Sequence, residues 1–438
     1  MDLLCRYLRI DTTNPPGNES AGAAFLRAVL EREGIEVQYA EAAPGRGNLS
    51  ARLRGDGSRP GIVLHHHIDV VPADARLWSV DPFGGVVDHG FIYGRGALDM
   101  KSVGILQTMA LVALRRAGIQ LGGDVILLAT ADEEEDSEFG AEFVARHRSG
   151  WLAGAEAALS ELGGILEQFA LTRPIAVIGV SEKTPLPLRL TAHGVPGHGS
   201  LPWPHTAPQR LIRAVDRVLS AQRRPRVLPE TQTFFATLSR ALPEGASLGY
   251  QDLPRALEDP EFRAGFLAHP HYAASVGTTF AVTVLHAGGK RNVIPAEAMA
   301  QLDCRLLTGD DPEEILDWVR RVIDDDQVTV ETMQPPKLPN LSSTNTSVYR
   351  ALETALRRRI PDVEVTPAIL TGASDSWVFR RHGLHSYGFS PFVLEESELF
   401  RIHGIDERVS VENVRAGVRT YTELLLNLYG SNRVTDGG

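Results

Sequence analysis

Three apolar runs, each ending in ionisable side chains, constrain this chain more than any other feature. They are GIVLHHH (61–67), DVILLATADEEE (124–135) and AEAALSELGG (155–164). A short continuous apolar run suits a strand covered on both faces, which is the habit of parallel sheets. Segments with helical spacing lie between and around them: AGAAFLRAVLERE (21–33), ALDMKSVGILQTMALVALRRAG (97–118) with Gly118 as a stop signal, and EFGAEFVARH. IEVQYAEA and NLSARLRG read as further short strands. Strand alternating with helix predicts an α/β fold with a largely parallel sheet. Sites in such sheets form at the carboxyl ends of the strands. Here those ends carry His, Asp and Glu.

The pattern changes near residue 185. LPLRLTAHGVPGHGS alternates and then turns on glycines, with Leu186, Leu188 and Leu190 on one prospective buried face. A helix at 206–221 follows, then a Pro-rich, less regular stretch at about 223–275. The strands TTFAVTVLHAG and AEAMAQLDCRLL, the helix DPEEILDWVRRVI and the strand QVTVETM complete the region. After PPKLPN (335–340) the helix–strand alternation returns. The expected organisation is a catalytic domain in two parts, 1–184 and 336–438, with an inserted α+β unit at 185–335. A length of 438 residues fits two or three domains at roughly 150 residues each.

Lys and Arg number 44 against 55 Asp and Glu, a net charge of −11. That balance disfavours nucleic acid, which needs a basic face. Two cysteines, Cys5 and Cys304, are too few for a disulfide framework and too far apart for a thiolate zinc site. No apolar stretch is long enough to span a bilayer, and MDLLCRYLRIDTTNPP suits an amphipathic helix better than a signal peptide. A cytoplasmic protein without membrane attachment is the expectation.

His67 and Asp69, two apart, share a side, and a carboxylate beside an imidazole can fix its tautomer at a metal. His65 shares that side and His66 opposes it. Alone, the pair reads equally as a polar strand end. Asp99 in GRGALDMK is placed near a helix start, where a capping role is the plain alternative. Asp132–Glu135 concentrates carboxylates whose repulsion a cation would relieve, or forms a solvated acidic loop. Glu161 ends the third run and His403 stands in RIHGIDERV. Together His67, Asp99, Glu134, Glu161 and His403 make a mixed imidazole–carboxylate set suited to zinc or a similar ion. Five ligands are one too few for two separate sites, and one bridging carboxylate repairs the count.

Eight segments in order resemble the di-zinc aminoacylase and carboxypeptidase family, which includes carboxypeptidase S, glutamate carboxypeptidase, acetylornithine deacetylase and succinyl-diaminopimelate desuccinylase. They are HHHIDVVPAD (65–74), with Trp78 and DPF (81–83) after it, YGRGALDMKS (93–102), TADEEE (130–135), SELGG (160–164), GVPGHGS (194–200), RNVIPAEA (291–298), TGASDS (371–376) and HGIDERV (403–409). The resemblance implies a zinc-peptidase-like catalytic domain with an inserted lid and dimerisation domain. It implies that His67, Asp99 and Glu161 hold one metal and that Asp99, Glu134 and His403 hold the other, with Asp99 bridging. The ions would be Zn2+, with Co2+ or Mn2+ as alternatives. Asp69 would orient His67 and Glu133 would act as general base. His198 would polarise the scissile carbonyl, reaching the partner's site across a homodimer. Asn292, Arg305 and Gly372 would bind substrate, although Arg305 also reads as a structural salt bridge.

The implied activity is metal-dependent hydrolysis of an amide next to a free carboxylate, in an N-acyl-amino acid or short peptide. A biosynthetic deacylase is the alternative, and a catalytically silent relative is disfavoured because Glu133 and all five ligand positions are retained. Asp136, Trp377, His65 and His66 depart from the common pattern and bear on substrate preference. Lys101 reads as a packing or salt-bridge residue. The stretch at 223–275 is closer to the carboxypeptidase S and N-acyl-amino-acid hydrolase branch. Its Phe234, Phe235, Leu253, Phe262, Phe266 and Tyr272 would line an acyl pocket or, more simply, pack against one another.

Overall fold

A computed structural model describes residues 1–430 apart from 168–170, 222, 244, 246, 247 and 339. The last residues of the expected second catalytic part, 431–438, lie outside the described residues. The three ionisable-ended runs are adjacent strands of a ten-stranded sheet. Gly61–His67 lies between Val125–Thr130 and Ala155–Ser160, parallel to both. His385–Gly388 extends the parallel set beyond Ala155–Ser160. Glu364–Leu370 runs parallel to Ile175–Glu182 farther along. Antiparallel pairing is kept for one margin, where Val37–Glu41 and Gly47–Leu53 are added, and for the joins around Ile175–Glu182. The parallel centre brings His67, Thr130 and Ser160 to one end of the sheet, so the residues that follow them converge there.

Both faces are covered, which is why the strands read as unbroken apolar runs. Ile62 and Leu64 join a core with the helices Lys101–Ala117 and Val411–Tyr429. Val63 faces the opposite layer with Val144, Trp151 and Phe379. The alternation carries on into the histidines. His66 packs on the first layer, where a Cβ added at Gly104 would lie 2.4 Å from its Cδ2. Burial pushes its pKa down to about 3, so it is a neutral packing residue. His65 and His67 point to the other side. The helix expected from residue 97 begins at Lys101 and stops at Gly118 with φ 62°.

A separate five-stranded antiparallel sheet contains Thr184–Pro185, Leu188–His193, Thr279–His286, Glu297–Leu306 and Val328–Thr332. Leu186, Leu188 and Leu190 are buried as expected, beneath the helices Ala207–Ser220 and Pro312–Ile323. The stretch at 223–275 differs from its reading as irregular. It forms the helices Pro229–Ala241, Leu253–Ala256, Pro260–Ala268 and Pro270–Val276. Phe234, Leu238 and Ala241 of the first rest on Ile175, Val177 and Ala368 of the large sheet. The segment therefore leaves the smaller sheet's neighbourhood and packs against the larger one. Cys5 and Cys304 are buried and unpaired. Among the described residues no helix is long and apolar enough to cross a membrane.

Candidate active site

His67 is fully buried at the end of its strand. Its Nδ1 donates to the Asp69 main-chain oxygen at 3.0 Å, with Asp69 Oδ1 at 3.6 Å. That leaves Nε2 free to serve as a ligand. Nε2 stands 3.0 Å from Asp99 Oδ1 and 3.5 Å from Glu161 Oε2. On the other side, His403 Nε2 stands 3.1 Å from Asp99 Oδ2 and 3.2 Å from Glu134 Oε2. Two groups of potential ligand atoms result, His67–Asp99–Glu161 and Asp99–Glu134–His403, each within 4.8 Å and sharing Asp99. Asp99 presents one oxygen to each group.

The backbone around these side chains is held from below. Asp69 makes its shorter contact to His67 through the main chain. Its carboxylate accepts the Glu133 amide at 3.2 Å and the Glu134 amide at 3.1 Å. Asp99 lies before its helix, so the cap role is not the one it plays. Its amide and that of Leu98 donate to Glu407 Oε1 at 3.1 and 2.7 Å. Glu407 pairs with Arg95 at 2.5 Å, and Arg95 Nη2 donates to the carbonyls of His403 and Gly404 at 3.2 and 3.0 Å. This buried pair ties the Asp99 loop to the His403 loop. Sequence reasoning passed over both residues, although each sits inside a quoted motif beside a ligand position.

The electrostatics report a shortage of positive charge. Burial, then Asp99, pushes Glu161 well above the usual carboxylate range, and burial pushes Glu134 up as well. Glu133 is raised well above it by burial and by Glu161. Asp99 is drawn down against burial by its bonds to His403 and His67. Hydrogen bonds to Asp99 and Glu134 lift His403 to about 10. Glu134 Oε1 and Glu161 Oε1 are buried and, among the described residues, accept no hydrogen bond. A set of imidazole and carboxylate donors with spare lone pairs, buried at His67 and Glu161 and open to solvent at His403, fits divalent cations.

Two cavities flank the cluster. One, of about 400 Å³, reaches from Asp99 and Glu161 past Gly372 to an apolar wall that includes Val177, Phe234, Phe235, Tyr272, Ala368 and Phe392. The expectation for the aromatic residues divides here. Phe234, Phe235 and Tyr272 line this cavity, whereas Leu253, Phe262 and Phe266 pack among their own helices. The other, of about 270 Å³, is polar and is lined by Glu133, Lys183, Arg305, Lys337, Ser374 and Trp377. Arg305 is paired with Asp303 at 2.8 and 3.3 Å while lining it. Lys337, which sequence reasoning missed, has its Nζ 4.3 Å from the Trp377 ring centre; it stands in the PPKLPN linker, whose prolines drew the attention instead.

His198 and Asn292 are not brought to the cluster. His198 is exposed, and its Nδ1 is paired with Ser200 Oγ at 2.7 Å. The Gly199 amide donates to the Asn292 oxygen at 2.9 Å, which places both residues in one corner of the smaller unit. Among the described residues, neither has a hydrogen bond or ion pair to the five ligand candidates. His65 bonds to Ser160 and Thr130 at 2.8 Å and lies 3.2 Å from Asp375. Lys101 is buried and donates to the Ile10 oxygen at 2.6 Å, a structural role as expected. Asp136 accepts from Gln334 at 3.2 Å.

Comparison with known proteins places the chain in one family. The pattern for peptidase family M20/M25/M40 matches residues 63–427. Over 380 residues the chain is 32% identical to the probable carboxypeptidase S-like 2 of Dictyostelium discoideum, covering 85% of this chain and 72% of that protein. It is 33% identical over 397 residues to the N-fatty-acyl-amino acid synthase/hydrolase PM20D1 of Xenopus tropicalis, covering 87% and 75% respectively. The crystal structure of the M20 family metallo-carboxypeptidase Sso-CP2 from Sulfolobus solfataricus superposes with a TM-score of 0.74 at 17% identity, across 97% of this chain and 98% of that one. The paired ligand groups thus sit on a fold and in a sequence of one lineage, and the chain belongs to peptidase family M20/M25/M40.

Proposed function

We propose that this protein hydrolyses N-acyl-amino acids that carry long apolar acyl groups. The observation that carries this reading is the apolar cavity of about 400 Å³ opening directly on Asp99 and Glu161. A small acetyl or succinyl group would leave that space unfilled. The similarity to a protein named as an N-fatty-acyl-amino acid synthase/hydrolase supports the same substrate class. The polar cavity on the Glu133 side, with Arg305 and Lys337, suits the amino acid and its carboxylate.

Two divalent ions, zinc before cobalt or manganese, would be held by His67, Asp99 and Glu161 and by Asp99, Glu134 and His403. When bound, such a pair lowers the pKa of water and polarises a carbonyl oxygen. Glu133 takes the proton from the attacking water and delivers it to the leaving amine. Asp69 fixes the His67 ring and the amides of Glu133 and Glu134. The Gly372 amide borders the acyl cavity and offers a donor to the carbonyl. His198 and Asn292, remote from the cluster within this chain, would act on the site of a second copy in a homodimer.

The chain would divide into a catalytic domain (1–184 and 336–438) and an inserted unit (185–335), whose helices at 229–276 pack on the catalytic sheet. A net charge of −11 disfavours nucleic acid as a partner, and a cytoplasmic setting without membrane attachment belongs to the same reading. The test is a panel of N-acetylornithine, N-succinyl-diaminopimelate, dipeptides and N-acyl-amino acids of graded chain length, with each metal supplied. The expected result is the highest kcat/KM on long-chain substrates. A preference for N-acetylornithine or the succinyl compound would replace this reading with a biosynthetic deacylase.

A further inference from the structure

The turn carrying Glu133 and Glu134 begins at Asp132, whose φ is 68°, a left-handed conformation that aspartate adopts more readily than most side chains when its carboxylate is held locally. Three buried carboxylates, Glu19, Asp69 and Asp132, converge beneath this turn. Asp69 accepts the Glu133 and Glu134 amides, and Glu19 Oε1 accepts the Asp132 amide at 3.3 Å. Converging acids repel, so the arrangement depends on the donors placed among them. Asn14 Nδ2 donates to Asp69 Oδ2 at 2.9 Å and to Asp132 Oδ1 at 3.2 Å. Arg46 Nη2 contacts Asp132 Oδ1 at 2.6 Å and Glu19 Oε1 at 2.8 Å. Among the described residues Arg46 is the only lysine or arginine ion-paired to any of the three.

We infer that Asn14 and Arg46 are positioning residues for the reaction. They hold the Glu133–Glu134 turn so that the base and one metal ligand are set at the same time. Asn14 joins two of these three carboxylates, Asp69 and Asp132, and Arg46 joins Asp132 to the third, Glu19. Neither residue touches the ligand cluster, so each acts through Asp69 or Asp132. The inference rests on the roles assigned above to Glu133 and Glu134.

The test uses Asn14→Ser, which removes the amide donors, and Arg46→Lys, whose ammonium stands one bond short of the Nη2 that contacts both Asp132 and Glu19 and which lacks the second nitrogen bonded to the Pro16 oxygen. Three quantities are measured on the full chain: melting midpoint without metal, calorimetric titration with Zn2+ or Co2+, and kcat and KM on the best panel substrate. The expected result for Arg46→Lys is one metal-binding step weakened tenfold or more with the other within threefold, because Glu134 serves only one ligand group. For Asn14→Ser the same step weakens at least as much. In both, kcat falls tenfold or more while KM stays within threefold. A lowered melting midpoint with both metal steps and kcat unchanged would make the residues merely structural and overturn the inference. So would equal weakening of both metal steps in Arg46→Lys. Should one variant fail to fold, the other decides by the same criteria. If the wild-type chain turns over no panel substrate, the proposed function fails, while the metal titrations still decide the positioning role.

Discussion

Narrowing the apolar cavity should shorten the acyl chain the enzyme prefers. Burying a methylene contributes about 0.8 kcal/mol, which is about fourfold in kcat/KM when the gain is kept in the transition state. At about 30 Å³ per water-sized group, a cavity of about 400 Å³ takes on the order of a dozen methylenes. The wild-type profile should therefore climb about fourfold per methylene and level off near that length. Ala368 lines the cavity from the strand Glu364–Leu370 and is almost buried. Leu in its place adds three carbons and excludes about three methylenes. The loss is about 2.4 kcal/mol, roughly sixty-fold, on a chain that fills the wild-type cavity. N-acetyl substrates, which do not reach Ala368, should be unchanged. The assay is kcat/KM for a homologous series of N-acyl-amino acids, measured on wild type and Ala368→Leu side by side. A flat wild-type profile, or an equal loss at every chain length, would refute the placement of the acyl chain in this cavity.

Two further outcomes follow from the same geometry. Mixed dimers of Glu133→Ala and His198→Ala chains should regain activity, up to about a quarter of wild type under random exchange; verified mixed dimers as inactive as the parents would refute action across the dimer. Burial draws Lys183 from 10.5 down to about 8, so the unfolded chain binds more protons between those values and stability rises with pH across them. Urea unfolding should show wild type gaining about 2 kcal/mol on Lys183→Met between pH 8 and pH 10, and a constant difference would contradict that burial effect.

Much of the site can be read along the chain because its candidate ligands follow strands. His67, Glu134 and Glu161 come directly after apolar runs, and a parallel sheet brings such ends together without further information. Asp99 is harder. Its place just before a helical run suits a cap equally well, yet its backbone is held by Glu407, more than 300 residues away. No local pattern encodes that contact. The stretch at 223–275 carries helix signals that its prolines disguise. Pro229, Pro254, Pro260 and Pro270 each open a helix, and Asp252 and Asp259 cap two of them. Proline in the first turn starts helices as readily as it breaks their interiors. The apolar cavity is illegible in principle, since its walls come from segments near residues 164, 177, 235, 272, 368 and 392. Only the packing of those helices on the sheet creates it. Asn14 and Arg46 lie in turn-like sequence with nothing to mark them, because their partners belong to other loops.

If metal binding and proton transfer are divided between the adjacent Glu134 and Glu133, elemental analysis together with turnover of Glu133→Gln, which keeps shape and removes the base, separates the two roles. Two divalent ions per chain are expected in both wild type and variant, with turnover of the variant reduced by about 10²–10⁴-fold. A variant that loses one ion would make Glu133 a ligand, and a variant that keeps both ions and wild-type turnover would remove it from the chemistry. Either result would contradict the division.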